Sequence, residues 1–147
     1  MLLDIEFPGW VPFPYLAIAK DAAGFIKAHD IALDKYDFDK FVGGHLTGFG
    51  RRNDVMVQKE FIDDLKNAVT KANQEVLFSK VAQQVGRFDN PCLIFSKYVD
   101  AVNENCTQLL LPKWENKLGG AREFMSTHCF TMSEAESRSH FASSNPE

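Results

Sequence analysis

The chain has 147 residues, 45% hydrophobic and 24% charged, the size and balance of one soluble globular domain. Its net charge of −4 gives no reason to expect nucleic acid as a partner, whose footprint is normally basic and clustered, and no apolar run approaches the roughly 20 residues that a membrane-spanning helix requires. Asp4 and Glu6 sit where a secretory signal would be basic. A cytoplasmic protein is expected, with Cys92, Cys106 and Cys129 as reduced thiols, since their number is odd and no two are spaced as CxxC.

In chain order, Met1 to Phe7 reads as a buried strand that carries Asp4. Pro8, Pro12 and Pro14, with Gly9, then forbid regular structure and predict a rigid loop. Its aromatics, Trp10 and Phe13, suit a pocket wall and ordinary packing equally. Tyr15 to Lys35 reads as helix from a stripe of Leu16, Ala19, Ala23, Ile26 and Leu33. Gly24 bends or splits this helix, and His29, next to Asp30, is expected on its solvated face. Tyr36 to Gly44, with Phe38, Phe41 and Val42, predicts a short second strand running into Gly43-Gly44-His45-Leu46-Thr47-Gly48. Six of the 13 phenylalanines lie in the first 50 residues, and a segment so rich in aromatics expects to be covered.

Asn53 or Asp54 caps the best-defined helix, striped by Val57, Phe61, Leu65, Ala68 and Ala72. A further helix through Val76, Leu77, Val81 and Val85 ends near Gly86. Asn90-Pro91 is a strong helix start, and the stripe Ile94, Tyr98, Val102 and Leu109 continues to Pro112. After the Gly119-Gly120 break comes a segment around Phe124-Met125. Ser133 and Glu136 have capping-box spacing, which predicts a short last helix opening there.

Two features carry chemistry. Asp4 ends an apolar strand, and His45 sits in a glycine-rich turn after the next one. If the two strands are parallel, a strand–helix–strand order brings both residues to one sheet edge, where ligands bind in open α/β sheets. On these residues, and on the Gly44-His45 turn leading through Arg51-Arg52-Asn53-Asp54-Val55 into a capped amphipathic helix, residues 1 to 73 resemble the metallo-β-lactamase superfamily. The resemblance implies that Asp4 bridges two metal ions and that His45 supplies the last ligand. It implies a pocket lined by Trp10 and Phe13; separately, the forked donors of the Arg51-Arg52 pair, Arg51 first, suit an anionic substrate group. A solvated loop is the plainer reading of that pair.

The family's HxHxDH motif is absent. The four histidines are His29, His45, His128 and His140, and none forms HxH or DH. His128-Cys129 reads as structural, because adjacent side chains on a helix point apart. Two candidate ligands fall short of the three protein ligands that a catalytic zinc takes, so Met1 is expected to be internal to a longer protein.

The expected fold is α/β tending to mostly α: the second half of an αββα metallo-β-lactamase sandwich over residues 1–73, with a helical C-terminal extension over 74–147 packed on it as one domain. Zinc or a similar divalent metal, and a small-molecule substrate, are implied for the full-length parent. The chain alone is expected to be inactive, with its catalytic residues unassigned. A homodimer or larger assembly is expected, with residues 1–14 near the interface and Leu2, Leu3, Ile5 and Phe7 seeking partners. The rival is a small, mostly helical, non-enzymatic domain acting through self-association or partner binding.

Overall fold

The computed structural model describes residues 4–18, 21–45 and 48–144, with side chains to residue 138. The fold is mostly helical. A left-handed turn, α1 (Pro14–Ile18), precedes α2 (Ala22–Lys35), a two-stranded ribbon of β1 (Lys40–Val42) and β2 (Phe49–Arg51), and then α3 (Arg52–Glu75), α4 (Phe78–Val85), α5 (Pro91–Trp114) and α6 (Ala121–Ser144).

Helix α3 is the spine. Val55, Gln58, Phe61, Ile62, Leu65, Ala68, Val69 and Ala72 are its buried positions, spaced by threes and fours as one helical face requires. That face meets α2, α5 and α6. Trp114, fully buried, stands edge-on to Phe61 with ring centroids 5.4 Å apart, and its indole N–H donates to Asp64 Oδ2 at 2.9 Å. A single apolar cluster contains Val11, Phe25, Leu65, Val102, Trp114 and Met132, so the core draws on residues from both sides of the expected 73/74 boundary.

Local signals explain most helix ends. Asp21 Oδ1 accepts the Gly24 N–H and starts α2, so the helix expected from Tyr15 begins instead after Asp21 and is not broken at Gly24, while Tyr15 to Ile18 hold left-handed φ. Asp54, at the third position of α3, reaches back to the Arg51 N–H at 2.6 Å. Gly86, at φ 65°, closes α4, and Asn90 Oδ1 accepts the Leu93 N–H to open α5. Two expected ends are corrected. Helix α5 passes through Pro112 to Trp114, because Pro112 and Gln108 are exposed and the carbonyl that loses its bond can face water. Helix α6 passes through Ser133 without a break; Ala121, Met125, His128, Cys129 and Met132 form one buried face that leads up to it, so the helix is already formed where the box would open one.

The expected parallel strand pair is also corrected. Met1, Leu2 and Leu3 lie outside the described residues. Asp4 and Ile5 form a turn, with Asp4 at φ 59°. Among the described residues the one sheet is β1–β2, antiparallel, with Phe41 opposite Gly50; a Cβ on Gly50 would lie 2.1 Å from the Phe41 ring, so only glycine lets that ring cross the ribbon. The proline-rich loop is fixed from the other end of the chain: Val11 N–H donates to Gly119 O and Gly119 N–H to Gly9 O.

The thiol expectation is corrected as well. Cys106 and Cys129 form a disulfide between α5 and α6, and Cys92 is free and exposed. Each bonded cysteine lies eight residues from the turn that joins the two helices, so folding the hairpin brings them face to face. No helix is long and apolar enough to cross a membrane among the described residues.

Candidate functional site

The residues singled out in the sequence as the metal pair meet. His45 Nε2 lies 2.6 Å from Asp4 Oδ1, with both side chains more than half exposed. Two segments create this approach. Asp4 opens the stretch that runs to Phe7, and His45 follows β1 through Gly43. A Cβ on Gly43 would stand 3.4 Å from the Glu6 carbonyl oxygen, so a glycine there lets the two backbones run close. Because Gly43 faces Glu6 while His45 faces Asp4, the segments pass in opposite senses.

The imidazole is held by aromatics. Phe7 lies parallel to it, within 3° and 6.4 Å centroid to centroid, and Phe13 is tilted against it at 5.3 Å. Phe7 and Phe13 also contact each other at 5.0 Å. Phe13 therefore stands beside the pair. Trp10 covers the turn between α5 and α6, where a Cβ on Gly119 would sit 2.7 Å from its ring. Arg51 is at the far end of the ribbon from the His45 turn, opposite Lys40. Arg52 is a helix cap: its guanidinium donates to the carbonyls of Leu33 and Tyr36 at the end of α2 and lies over the Phe38 ring. The chemistry of that cap, forked donors on free C-terminal carbonyls, is what the Arg-Arg pair supplies.

Beneath the exposed pair is a buried polar cluster that the sequence reading missed. His29, expected on a solvated face, is fully buried, as are Glu6 and Gln58. Glu6 Oε1 approaches His29 Nε2 to 3.2 Å, yet neither Glu6 oxygen has hydrogen-bond geometry to a partner. Burial, with the nearby charge of Asp54, pushes the Glu6 carboxyl up to about 8. Burial lowers His29 from its ordinary value against the pull of the Phe25 and Ile26 carbonyls. The two directions agree: near neutral pH the pair is a protonated acid beside a neutral imidazole. Phe25, His29 and Ala32 share an i, i+4, i+7 stripe, and Gln58 stands between Val55 and Ile62 in the buried stripe of α3. Those periods were the available signal.

His128 is buried too, and structural as expected. It accepts the Leu16 N–H on Nδ1 at 3.2 Å and donates from Nε2 to Pro12 O at 2.9 Å. Burial lowers it to about 4. The side chain of His140 lies outside the described residues.

Imidazole nitrogen and carboxylate oxygen are the donor types that zinc and similar divalent ions take, and Asp4 and His45 fit such an ion in kind. They fall short in number: no group of three or more metal-binding side chains occurs among the described residues. The chain matches no known protein family, no curated protein and no solved structure.

Proposed function

We propose that this chain is the C-terminal portion of a metal-dependent hydrolase of the metallo-β-lactamase superfamily, the second half of its αββα sandwich with a helical extension, inactive without the half that carries HxHxDH. The observation that supports this reading most is the 2.6 Å approach of Asp4 and His45, two residues 41 positions apart on separate segments. Asp4 and His45 would hold part of a divalent metal site; zinc or a similar ion there supplies a bound water acidic enough to give hydroxide near neutral pH. The chain's own part is positional. Phe7 and Phe13 fix the plane of the His45 ring, and Asp4 presents its carboxylate to solvent beside it. Phe13 is proposed to wall the substrate side, with Arg51 and Trp10 outside the immediate site.

A zinc titration of the purified chain, followed at the His45 imidazole by NMR, tests this reading. Weak, saturable perturbation at His45 that disappears in Asp4→Asn is expected. Stoichiometric binding at submicromolar affinity would show a complete site and contradict the proposed half-set. No response at His45 at millimolar zinc would overturn the metal reading.

The rival reading, a non-enzymatic domain that self-associates, is favoured by one observation: Val42 and Phe49, paired across the ribbon, are 45% and 77% exposed.

A further inference from the structure

The segment from Asp4 to Phe7 has no strand beside it among the described residues to fix its register. One side chain does that work. Gln58 Oε1 accepts the Phe7 N–H at 3.0 Å, and Gln58 Nε2 donates to the Ile5 carbonyl at 2.5 Å. These are the two main-chain groups that a neighbouring strand would engage. The same Nε2 lies 2.8 Å from His29 Nε2.

His29 sets which way the amide faces. Its Nδ1 is 3.0 Å from the Phe25 carbonyl and 3.3 Å from that of Ile26. Carbonyls only accept, so Nδ1 carries the proton. Neutral His29 then offers Nε2 as an acceptor, and the Gln58 amide nitrogen must face it. The flipped amide would set its oxygen against two acceptors, Ile5 O and His29 Nε2, and its NH2 against the Phe7 N–H. Burial of Gln58 and His29 makes each such mismatch costly.

We infer that Gln58, oriented by His29, is the positioning residue that sets Asp4 and Phe7 against His45. The side chain stands in for a strand partner. It fixes the main chain at residues 5 and 7, and so places the carboxylate at residue 4 and the ring at residue 7 that flank the imidazole. As a statement about a functional site this rests on the reading above; as a statement about geometry it does not need a metal.

The test uses the metal-free chain at one fixed pH, with His45 side-chain resonances and Phe7 amide exchange as readouts. Gln58→Met keeps the length of the side chain and removes its polar atoms. It should move the His45 resonances to those of Asp4→Asn and speed Phe7 amide exchange at least tenfold. Val69→Ala, a cavity in the same helix three turns on, should lower stability and leave His45 at its wild-type signals. Wild-type His45 signals in Gln58→Met, or an equal displacement in Val69→Ala, would overturn the inference. If Gln58→Met does not fold, Gln58→Glu carries the test: it retains an acceptor for Phe7 and offers at most one O–H donor in place of the two N–H bonds to Ile5 and His29. The same His45 shift, smaller, is expected, and its absence would count against the inference. No metal enters any arm, so a failed zinc titration and a failed positioning role are separate results.

Discussion

The clearest consequence at single residues concerns His128. Tyr15, Leu16 and Ala17 hold φ of 58°, 48° and 58°, a left-handed turn that costs roughly 1–2 kcal/mol per residue with a side chain. His128 grips both sides of that turn, and only as the neutral tautomer: a proton on Nδ1 would meet the Leu16 N–H. Its folded-state pKa, lowered to about 4 from 6.5, means that below pH 6.5 the unfolded chain takes up a proton the folded chain refuses. Stability is therefore present above pH 6.5 and is lost as pH falls toward 4. Glu6 runs the other way, since its raised value makes the folded state the better proton binder between 4.5 and about 8. A variant difference isolates His128. Gln can accept from Leu16 and donate to Pro12 without titrating. From pH 6.5 to 4, wild type should lose about 1.4 kcal/mol per pH unit relative to His128→Gln, measured by urea unfolding across that range; parallel curves would refute it. His29 and Gln58 teach the related lesson about legibility. A polar residue inside a buried stripe reads from sequence as a gap in the stripe, because the partner that satisfies it is far along the chain: Gln58 meets residues 5, 7 and 29. His45 was legible because glycines mark its turn locally; Asp4 stood out only as the carboxylate of an expected strand, where the structure has a turn.

At the scale of elements, short-range chemistry predicted well and long-range pairing did not. Asn90-Pro91, Gly86 and the stripe of α3 depend on neighbours within about one or two turns, and the structure has them where the sequence places them. Met1 to Phe7 was read as a strand on apolar content alone, although strand formation depends on a partner; its described part is a turn followed by a stretch clamped by a side chain. The Ser133 box opens no new helix because α6, packed through Ala121, Met125, His128, Cys129 and Met132, already runs into it. The disulfide is a third case, set by the α5–α6 hairpin and invisible in cysteine spacing. Closing residues 106 to 129 restricts the unfolded chain, and the bond should contribute about 3 kcal/mol. Cys106→Ala with Cys129→Ala should lower the urea midpoint accordingly while leaving the helical circular dichroism intact. Under denaturing, non-reducing conditions a thiol assay on the wild-type chain should count one group, Cys92; three would show that the pair is reduced.

For the whole molecule, the question is which apolar surface remains uncovered. Phe7 was expected to need a partner from another chain, but Phe13, His45 and Gln58 of its own chain enclose it, and it is 1% exposed. Leu2 and Leu3 lie outside the described residues. The exposed apolar surface on this side of the fold is instead the outer face of the ribbon. Alternation along β1 and β2 turns Phe41 and Gly50 inward and Lys40, Val42, Phe49 and Arg51 outward, with Val42 and Phe49 directly opposite each other. A two-stranded ribbon with an apolar cross-strand pair on its open face invites association, and two-fold self-pairing is the commonest closed solution. Lys40 and Arg51, opposite each other at the other end of that face, oppose stacking in register and favour an antiparallel arrangement that brings the Val42–Phe49 ends together. Phe49→Lys should then shift the chain to monomer in sedimentation equilibrium with the helical fold retained, since Phe49 is 77% exposed and its replacement leaves no cavity. A concentration-independent monomer for the unmodified chain would end the self-association reading and leave the ribbon face free for the segment that the metallohydrolase reading requires.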